Sequence, residues 1–254
     1  MGTGMTNGLG AALITGASRR IGAAIAEALA AERRPVALHC HESIDGARAL
    51  AQRIVARGGR AAVVVGDLAD PATPERLVLE ATAAVGAPLE ALVNNASTFE
   101  EDEIGALESV AWDRQMAVNL RAPVFLAQAF AARLPANVGG CVVNVIDQRV
   151  LKTTSRFVSY ALSKSALRTA TETLALALAP RVRVVAVAPG PTLANARQSP
   201  EAFARQAEAT PLRRGPTPAE IAEAVRFLLN ASSVTGVMLP VDGGQHLAPD
   251  RDDD

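Results

Sequence analysis

Lysine, cysteine and aromatic residues are all scarce in this chain, and each scarcity removes a class of explanation. The two cysteines, Cys40 and Cys141, lie far apart beside apolar runs, so they make no metal motif and no redox pair and read as core thiols. The three histidines, His39, His41 and His246, include no HExxH arrangement, and no metal site is expected. Apolar runs are short and broken by charge, glycine or proline, so none reaches the length of a membrane span. Residues 1–8 lack the basic-then-apolar order of a secretory leader, which leaves a cytoplasmic protein with no membrane partner as the expectation. Acids and bases nearly balance at a formal charge of −1, and no nucleic-acid partner is expected.

Scarcity gives weight to what is present. The single tyrosine, Tyr160, stands in Ser159-Tyr160-Ala161-Leu162-Ser163-Lys164, four residues before one of only two lysines. Residues i and i+4 of a helix share a face, with Cβ atoms about 5–6 Å apart. A phenol and an ammonium so placed can enter one pocket, where the ammonium is expected to lower the phenol pKa and make Tyr160 a usable general acid. The plainer alternative is an amphipathic helix carrying a tyrosine and a snorkelling lysine.

Apolar, β-branched runs alternate with alanine-rich helical stretches along the 254 residues, 49% of which are hydrophobic. That alternation predicts an α/β fold, a single Rossmann-type doubly wound parallel sheet of about seven strands flanked by helices. Strands are predicted over Ala11–Thr15, Val36–Cys40, Ala61–Val65, Leu89–Val93, Cys141–Ile146, Val182–Val187 and Val237–Val241, all too apolar for half-exposed edges. One domain over residues 1–254 accommodates them, with residues 1–9 and 249–254 as flexible ends. The stretch Pro189–Pro216 is rich in Pro, Arg, Gln and Thr, with a short predicted helix near Pro200–Ala209. Following a strand end, residues 190–216 are where a substrate lid is expected.

The first strand runs into Thr15-Gly16-Ala17-Ser18-Arg19-Arg20-Ile21-Gly22 and then a helix over Ala23–Ala31. This is the strand, glycine turn and helix that cradle a pyrophosphate. Gly16 and Gly22 permit close backbone approach, Ser18 and the helix N-terminus supply hydrogen bonds, and Arg20 stands where a middle glycine is common.

Together with Tyr160 and Lys164, these residues resemble the short-chain dehydrogenase/reductases over nearly the whole chain. The resemblance implies an NAD(P)H-dependent oxidoreductase acting on a small molecule, with Tyr160 and Lys164 also against the nicotinamide ribose. Asp67-Leu68 resembles the family's adenine contact, and Asn94-Asn95-Ala96 resembles its sheet-bracing, cofactor-flanking turn. Asn119 resembles the helix asparagine of its proton relay, Pro189-Gly190 its nicotinamide-side turn, and Val241-Asp242-Gly243-Gly244 its closing strand. After the second strand comes His39-Cys40-His41-Glu42-Ser43. Arg20, His39 and Ser43 there offer donors for a 2′-phosphate and favour NADPH, whereas an inward Glu42 would meet a ribose hydroxyl and admit NADH.

The family's usual serine, thirteen residues before the tyrosine, is Asp147 here. A carboxylate at that place opposes Lys164 by raising the phenol pKa, and binding a cationic or amidine-like heterocycle would give it a use. Aspartate here, with Arg19-Arg20-Ile21-Gly22, the His-x-His-x-Ser run and Asn94-Asn95-Ala96-Ser97-Thr98-Phe99, resembles the pteridine reductases. In those enzymes the residue matching Phe99 stacks on the pterin, and the one matching Ser97 contacts pterin and cofactor. The resemblance therefore implies NADPH-dependent reduction of a dihydropterin, with Tyr160, Lys164, Asp147 and Asn119 handling the proton. Two other readings stand beside it: a carbonyl reductase of a 3-oxoacyl or other small ketone substrate, and an NADPH-binding sensor without turnover. Alanine-rich segments such as Ala161–Ala179 resemble the helices through which the family pairs subunits, implying a homotetramer or a homodimer.

Overall fold

A computed structural model describes residues 9–194 and 198–248. The expected flexible ends thus lie outside the described residues except for Leu9, as do positions 195–197 of the expected lid. Seven strands, β1 (Ala11–Ile14), β2 (Val36–Cys40), β3 (Ala61–Val65), β4 (Leu89–Asn94), β5 (Gly140–Val145), β6 (Val182–Pro189) and β7 (Met238–Val241), form one sheet in the order β3-β2-β1-β4-β5-β6-β7. All six pairings are parallel. The predicted bounds hold for every strand to within two residues, because a parallel strand covered on both faces must be apolar at nearly every position. The expectation that none is a half-exposed edge fails for the two outer strands: β3 has only Val64 buried and every residue of β7 is half-buried, since each pairs on one side alone.

Alternation along the strands distributes side chains between two cores. Ala12, Ile14, Val36, Leu38, Val143, Val145, Val185 and Val187 face one side. There they meet Ile25 and Leu29 of α1 (Arg20–Ala31), Leu50 and Ile54 of α2 (Ile44–Ala56), and Ile221, Val225 and Leu228 of α8 (Pro218–Asn230). Leu13, Ala37, Leu92, Val142 and Val184 face the other side. Their partners are Leu77 and Val78 of α3 (Thr73–Val85), Leu126 and Phe130 of α5 (Ala122–Arg133), and Ala175 of α6 (Val158–Leu178). The remaining helices are α4 (Ser109–Met116) and α7 (Pro200–Glu208), the latter close to its predicted place and capped by Ser199 Oγ, which accepts from the Ala202 amide at 3.1 Å.

The chain after β1 crosses to the α1 face and the chain after β4 to the α5 face, so the C-terminal ends of these neighbouring strands bound a crevice at the topological switch point. A polar ladder stiffens the sheet beside it. Asn94 Nδ2 donates to Asn144 Oδ1 across β4 and β5 at 2.9 Å, and Asn144 Nδ2 donates to Thr171 Oγ1 of α6 at 2.9 Å.

His39 ends up inside the sheet instead of facing a phosphate. It is 2% exposed; Nδ1 accepts from the Gly16 amide at 3.3 Å, and Nε2 pairs with Gly66 O at 3.0 Å. Burial pushes its pKa from 6.5 down to about 4, so the ring is neutral and its two nitrogens are spent positioning the glycine turn. In the unfolded chain the ring binds its proton at the ordinary value. The stability contributed by neutral His39 is therefore complete above pH 6.5 and is lost as pH falls towards about 4, by up to about 3 kcal/mol. Urea unfolding at several pH values should show a smaller loss over this window for His39→Gln than for the wild type, and equal losses would refute the assignment.

Candidate active site

The glycine turn is held by the residues that follow β4. Thr15 Oγ1 accepts from the amides of Asn95 and Ala96, each at 3.0 Å, while Asn95 Nδ2 donates to Thr15 O at 2.9 Å and to Gly16 O at 3.0 Å. Gly16 has φ +63°, and a Cβ there would come within 2.9 Å of Ala96 Cα. A Cβ on Gly22 would come within 2.3 Å of Gly16 O, so the turn and α1 approach as only glycine allows. Arg20, where a middle glycine is common, carries a left-handed backbone at φ 55°. Its guanidinium donates to Leu193 O at 3.0 Å and Ala194 O at 2.9 Å, linking the turn to the segment after β6.

A cavity of about 1080 Å³ runs along the C-terminal edge of the sheet. Of the residues singled out in the sequence, Gly16, Ser18, Arg20, Ile21, Gly22, His39, Ser43, Asp67, Leu68, Asn95, Ala96, Ser97, Phe99, Asp147, Tyr160, Lys164, Pro189 and Gly190 line it, whereas Asn119 does not. Asn119 is fully buried in a π-helical turn, Ala117–Arg121, that joins α4 to α5. Such a turn re-aims a side chain out of α-helical register. Its Oδ1 accepts from the Thr98 amide at 2.9 Å and Ser97 Oγ at 3.1 Å, and its Nδ2 donates to Thr98 O and Ser163 Oγ. The side chain thus braces the segment bearing Ser97 against α6.

At the far end, Tyr160 Oη donates to Asp147 Oδ2 at 2.9 Å, and the other Asp147 oxygen accepts from the Arg149 amide at 2.9 Å. Lys164, 2% exposed, donates from Nζ to Val145 O at 2.9 Å. The electrostatics differ from the sequence expectation that Lys164 lowers the Tyr160 pKa. Burial raises it first, the Asp147 carboxylate raises it further by charge and hydrogen bond, and the lowering influence is Arg149. Lys164 itself is pushed down by burial, partly offset by Asp147, to about 8. In this arrangement Tyr160 is held as a protonated donor.

The opposite end is set by charge at the surface. Burial alone would raise the Asp67 carboxyl, but the Ala69 amide at 2.9 Å and Arg114 at 3.3 Å hold it below its usual value. Glu42 points outward, with 87% of its side chain exposed and His41 Nδ1 at 3.9 Å, which removes the inward acid that would disfavour a 2′-phosphate.

Sequence reasoning missed the second aromatic ring and the groups that brace it. Phe157 stacks on Phe99 with centroids 4.5 Å apart at 14°, and Phe99 meets Tyr160 edge-on at 4.7 Å. The Arg149 guanidinium lies 5.1 Å from the Phe157 centroid and 5.9 Å from that of Phe99, within cation–π range. Phe157 adopts φ 59° and donates its amide to Asp102 O at 2.8 Å, while Asp102 Oδ1 accepts from the Ser159 amide at 3.1 Å. Ser159 Oγ completes a buried chain between Asp102 and Gln115. These bonds fix the start of α6, and with it the direction of Tyr160. The only sequence signal for Phe157 was its closeness to Tyr160 in a chain with few aromatics.

A family model described as Enoyl-(Acyl carrier protein) reductase matches residues 16–246. Protein FixR of Bradyrhizobium diazoefficiens is 36% identical over 248 residues, covering 92% of this chain and 86% of the relative. The 2-(S)-hydroxypropyl-CoM dehydrogenase 3 of Xanthobacter autotrophicus is 35% identical over 246 residues, covering 91% of this chain and 94% of the relative. Among solved structures, FolM Alternative dihydrofolate reductase 1 from Brucella canis, complexed with NADP, is 50% identical with a TM-score of 0.91, covering 95% of this chain and 96% of that one. With matches that span the glycine turn, Tyr160 and Lys164 alike, the chain belongs to the short-chain dehydrogenase/reductase family and is an NAD(P)H-dependent oxidoreductase.

Proposed function

We propose that this enzyme uses NADPH to reduce a dihydropterin to its tetrahydro form. The observation that carries the reading is the Tyr160–Asp147 hydrogen bond beside the Phe99 ring, a carboxylate where the family usually has serine. The 50% identity to a protein described as an alternative dihydrofolate reductase complexed with NADP supports it.

The residues suit a dinucleotide. A Cβ at Gly16 or Gly22 would fill the cradle, and the same cavity continues to Tyr160. Ser18 and the α1 N-terminus would hold the pyrophosphate, Asp67 and Leu68 the adenine, and Arg20 and Ser43 a 2′-phosphate. Ala96, Pro189 and Gly190 would flank the nicotinamide, with Tyr160 and Lys164 at its ribose. The bound nicotinamide supplies a hydride to the C=N carbon of the pterin.

The chain's own groups supply the proton. The Asp147 carboxylate takes the phenolic proton of Tyr160 on Oδ2 and hands that same proton to the C=N nitrogen, returning to the carboxylate, and the resulting phenolate draws its next proton from solvent. Lys164 offers positive charge to that phenolate. Phe99, braced by Phe157, and Ser97 would position the ring. Phe125 and Leu162, on α5 and α6, are 49% and 48% exposed, and Leu176 on α6 is 83% exposed, apolar surface that supports pairing into a homodimer or homotetramer.

Purified protein should oxidise NADPH in the presence of a dihydropterin and prefer it to NADH. Turnover of an acetoacetyl thioester alone would instead identify a general carbonyl reductase. Asp147→Ser should lower dihydropterin turnover by about a hundredfold, in the range of a lost proton-transfer group, while the NADPH dissociation constant stays within about twofold. Unchanged turnover would remove the main support for a pterin.

The pH profile gives an independent check. Lys164 is charged below about 8 and neutral above it, so kcat should fall as pH rises through that value. A profile still flat two units higher would show that the Lys164 charge has no part in turnover.

A further inference from the structure

Two glutamines near the reacting end of the cavity have no part in the chemistry above. Gln148, one residue beyond Asp147, opens a short 3-10 turn, Gln148–Val150, and is 5% exposed. Gln245 opens a second turn, Gln245–Leu247, beyond β7. The two turns pack together, and Lys152 Nζ donates to Ala248 O at 3.0 Å just past them.

Both glutamines line the cavity, and Oε1 of each is shut away from water with no hydrogen-bond partner among the described residues. The other two glutamines of the lining satisfy one another, Gln198 Nε2 donating to Gln206 Oε1 at 2.9 Å. A buried carboxamide oxygen without a donor forfeits a hydrogen bond it had in water, and such groups are rare in folded proteins. Filling space does not account for them, since leucine or methionine would occupy similar volume with no polar atom to satisfy. A ligand donor would account for both.

We propose that Gln148 and Gln245 form a subsite for neutral hydrogen-bond donors on the substituent borne by the carbon that is reduced. This rests on the reading of the cavity as the substrate site of a pterin reductase. The reacting C=N bond must lie against Asp147 and Tyr160, and Gln148 and Gln245 line the same cavity, where the group attached to its carbon extends. Carboxamide oxygens accept from hydroxyl or amide groups, and the same carboxamides can donate back, which suits a hydroxylated chain. They bring no charge, and the adjacent Asp147 carboxylate opposes an anionic substituent.

The test compares two dihydropterins, one with a 1,2-dihydroxypropyl group at the reacting carbon and one with a methyl group there, in wild type, Gln148→Leu and Gln245→Leu. The readout is the ratio of the two kcat/KM values within each protein, so that a partial loss of folded enzyme cancels. Each substitution should reduce the preference for the hydroxylated substrate by about five- to tenfold, the loss of one neutral hydrogen bond. A ratio equal to that of wild type in both variants overturns the subsite. Should wild type reduce neither dihydropterin, the pterin reading fails by itself. The ratio is then taken on a methyl ketone and its hydroxymethyl counterpart, where a fall supports the subsite and constancy overturns it.

Discussion

Asn95 is the constraint on which the rest of the site depends. Its side-chain amide donates to two successive carbonyls, Thr15 O and Gly16 O, while its main-chain amide donates to Thr15 Oγ1. These bonds join the ends of β1 and β4 where the following chain diverges to opposite faces, so the crevice cannot spread. Because Gly16 is thereby pressed to within what would be 2.9 Å between a Cβ and Ala96 Cα, the glycine requirement is imposed by β4 as much as by the turn itself. His39 then adds a bond from the β2 side to the Gly16 amide. A neutral ring there leaves the positive end of α1 unopposed by any nearby buried charge on β2.

At the other end, the same rigidity is used to keep charges unlike in their demands close together. Tyr160 and Lys164 share with Asp147 a site in which burial favours the neutral phenol and the neutral amine. The structure resolves this by hydrogen bonding instead of by full ion pairing: the phenol serves the carboxylate and the ammonium serves a backbone carbonyl. Lys164, at a pKa of about 8, is then poised near the point of losing its proton, and a phenolate formed at Tyr160 would restore its charge. The lysine is thus less a permanent activator than a group whose charge is worth most once the phenol has given up its proton.

Much of this was legible in the sequence because the inner strands are covered on both faces. Burial forces apolar residues along Val36–Cys40 or Val182–Pro189, leaving runs that read as strands without any periodicity. The glycine turn, Tyr160 and Lys164 were legible for another reason: their spacing along one element or turn already fixes their relation, whereas Asp147, beyond β5, was singled out by the resemblance to the family. What was not legible depends on contacts between distant segments. The neutral state of His39 comes from its burial inside the assembled sheet, the stack of Phe99 from Phe157, and the start of α6 from Asp102. The π turn at Asn119 likewise satisfies segments on either side of it and leaves no local trace in Ala117–Arg121. Arg149 and Gln148 had no counterpart in any motif, although one opposes the effect of Asp147 on Tyr160 and the other lines the cavity.

This division has a physical basis. Strand ends are held by the sheet, so residues that must meet a common cofactor are best placed there, and their spacing becomes regular. Discrimination among substrates is instead carried on short turns, such as Gln148–Val150 and Gln245–Leu247, that follow strand ends but make few ladder bonds of their own. A side chain on such a turn can be exchanged without disturbing β5 or β7, and its unsatisfied polar atom is tolerated because the sheet supplies the stability. The groups that choose a substrate are therefore the ones least predictable from the fold, and the mark they leave is a buried polar atom at the cavity wall with no partner among the described residues, as in Gln148 and Gln245.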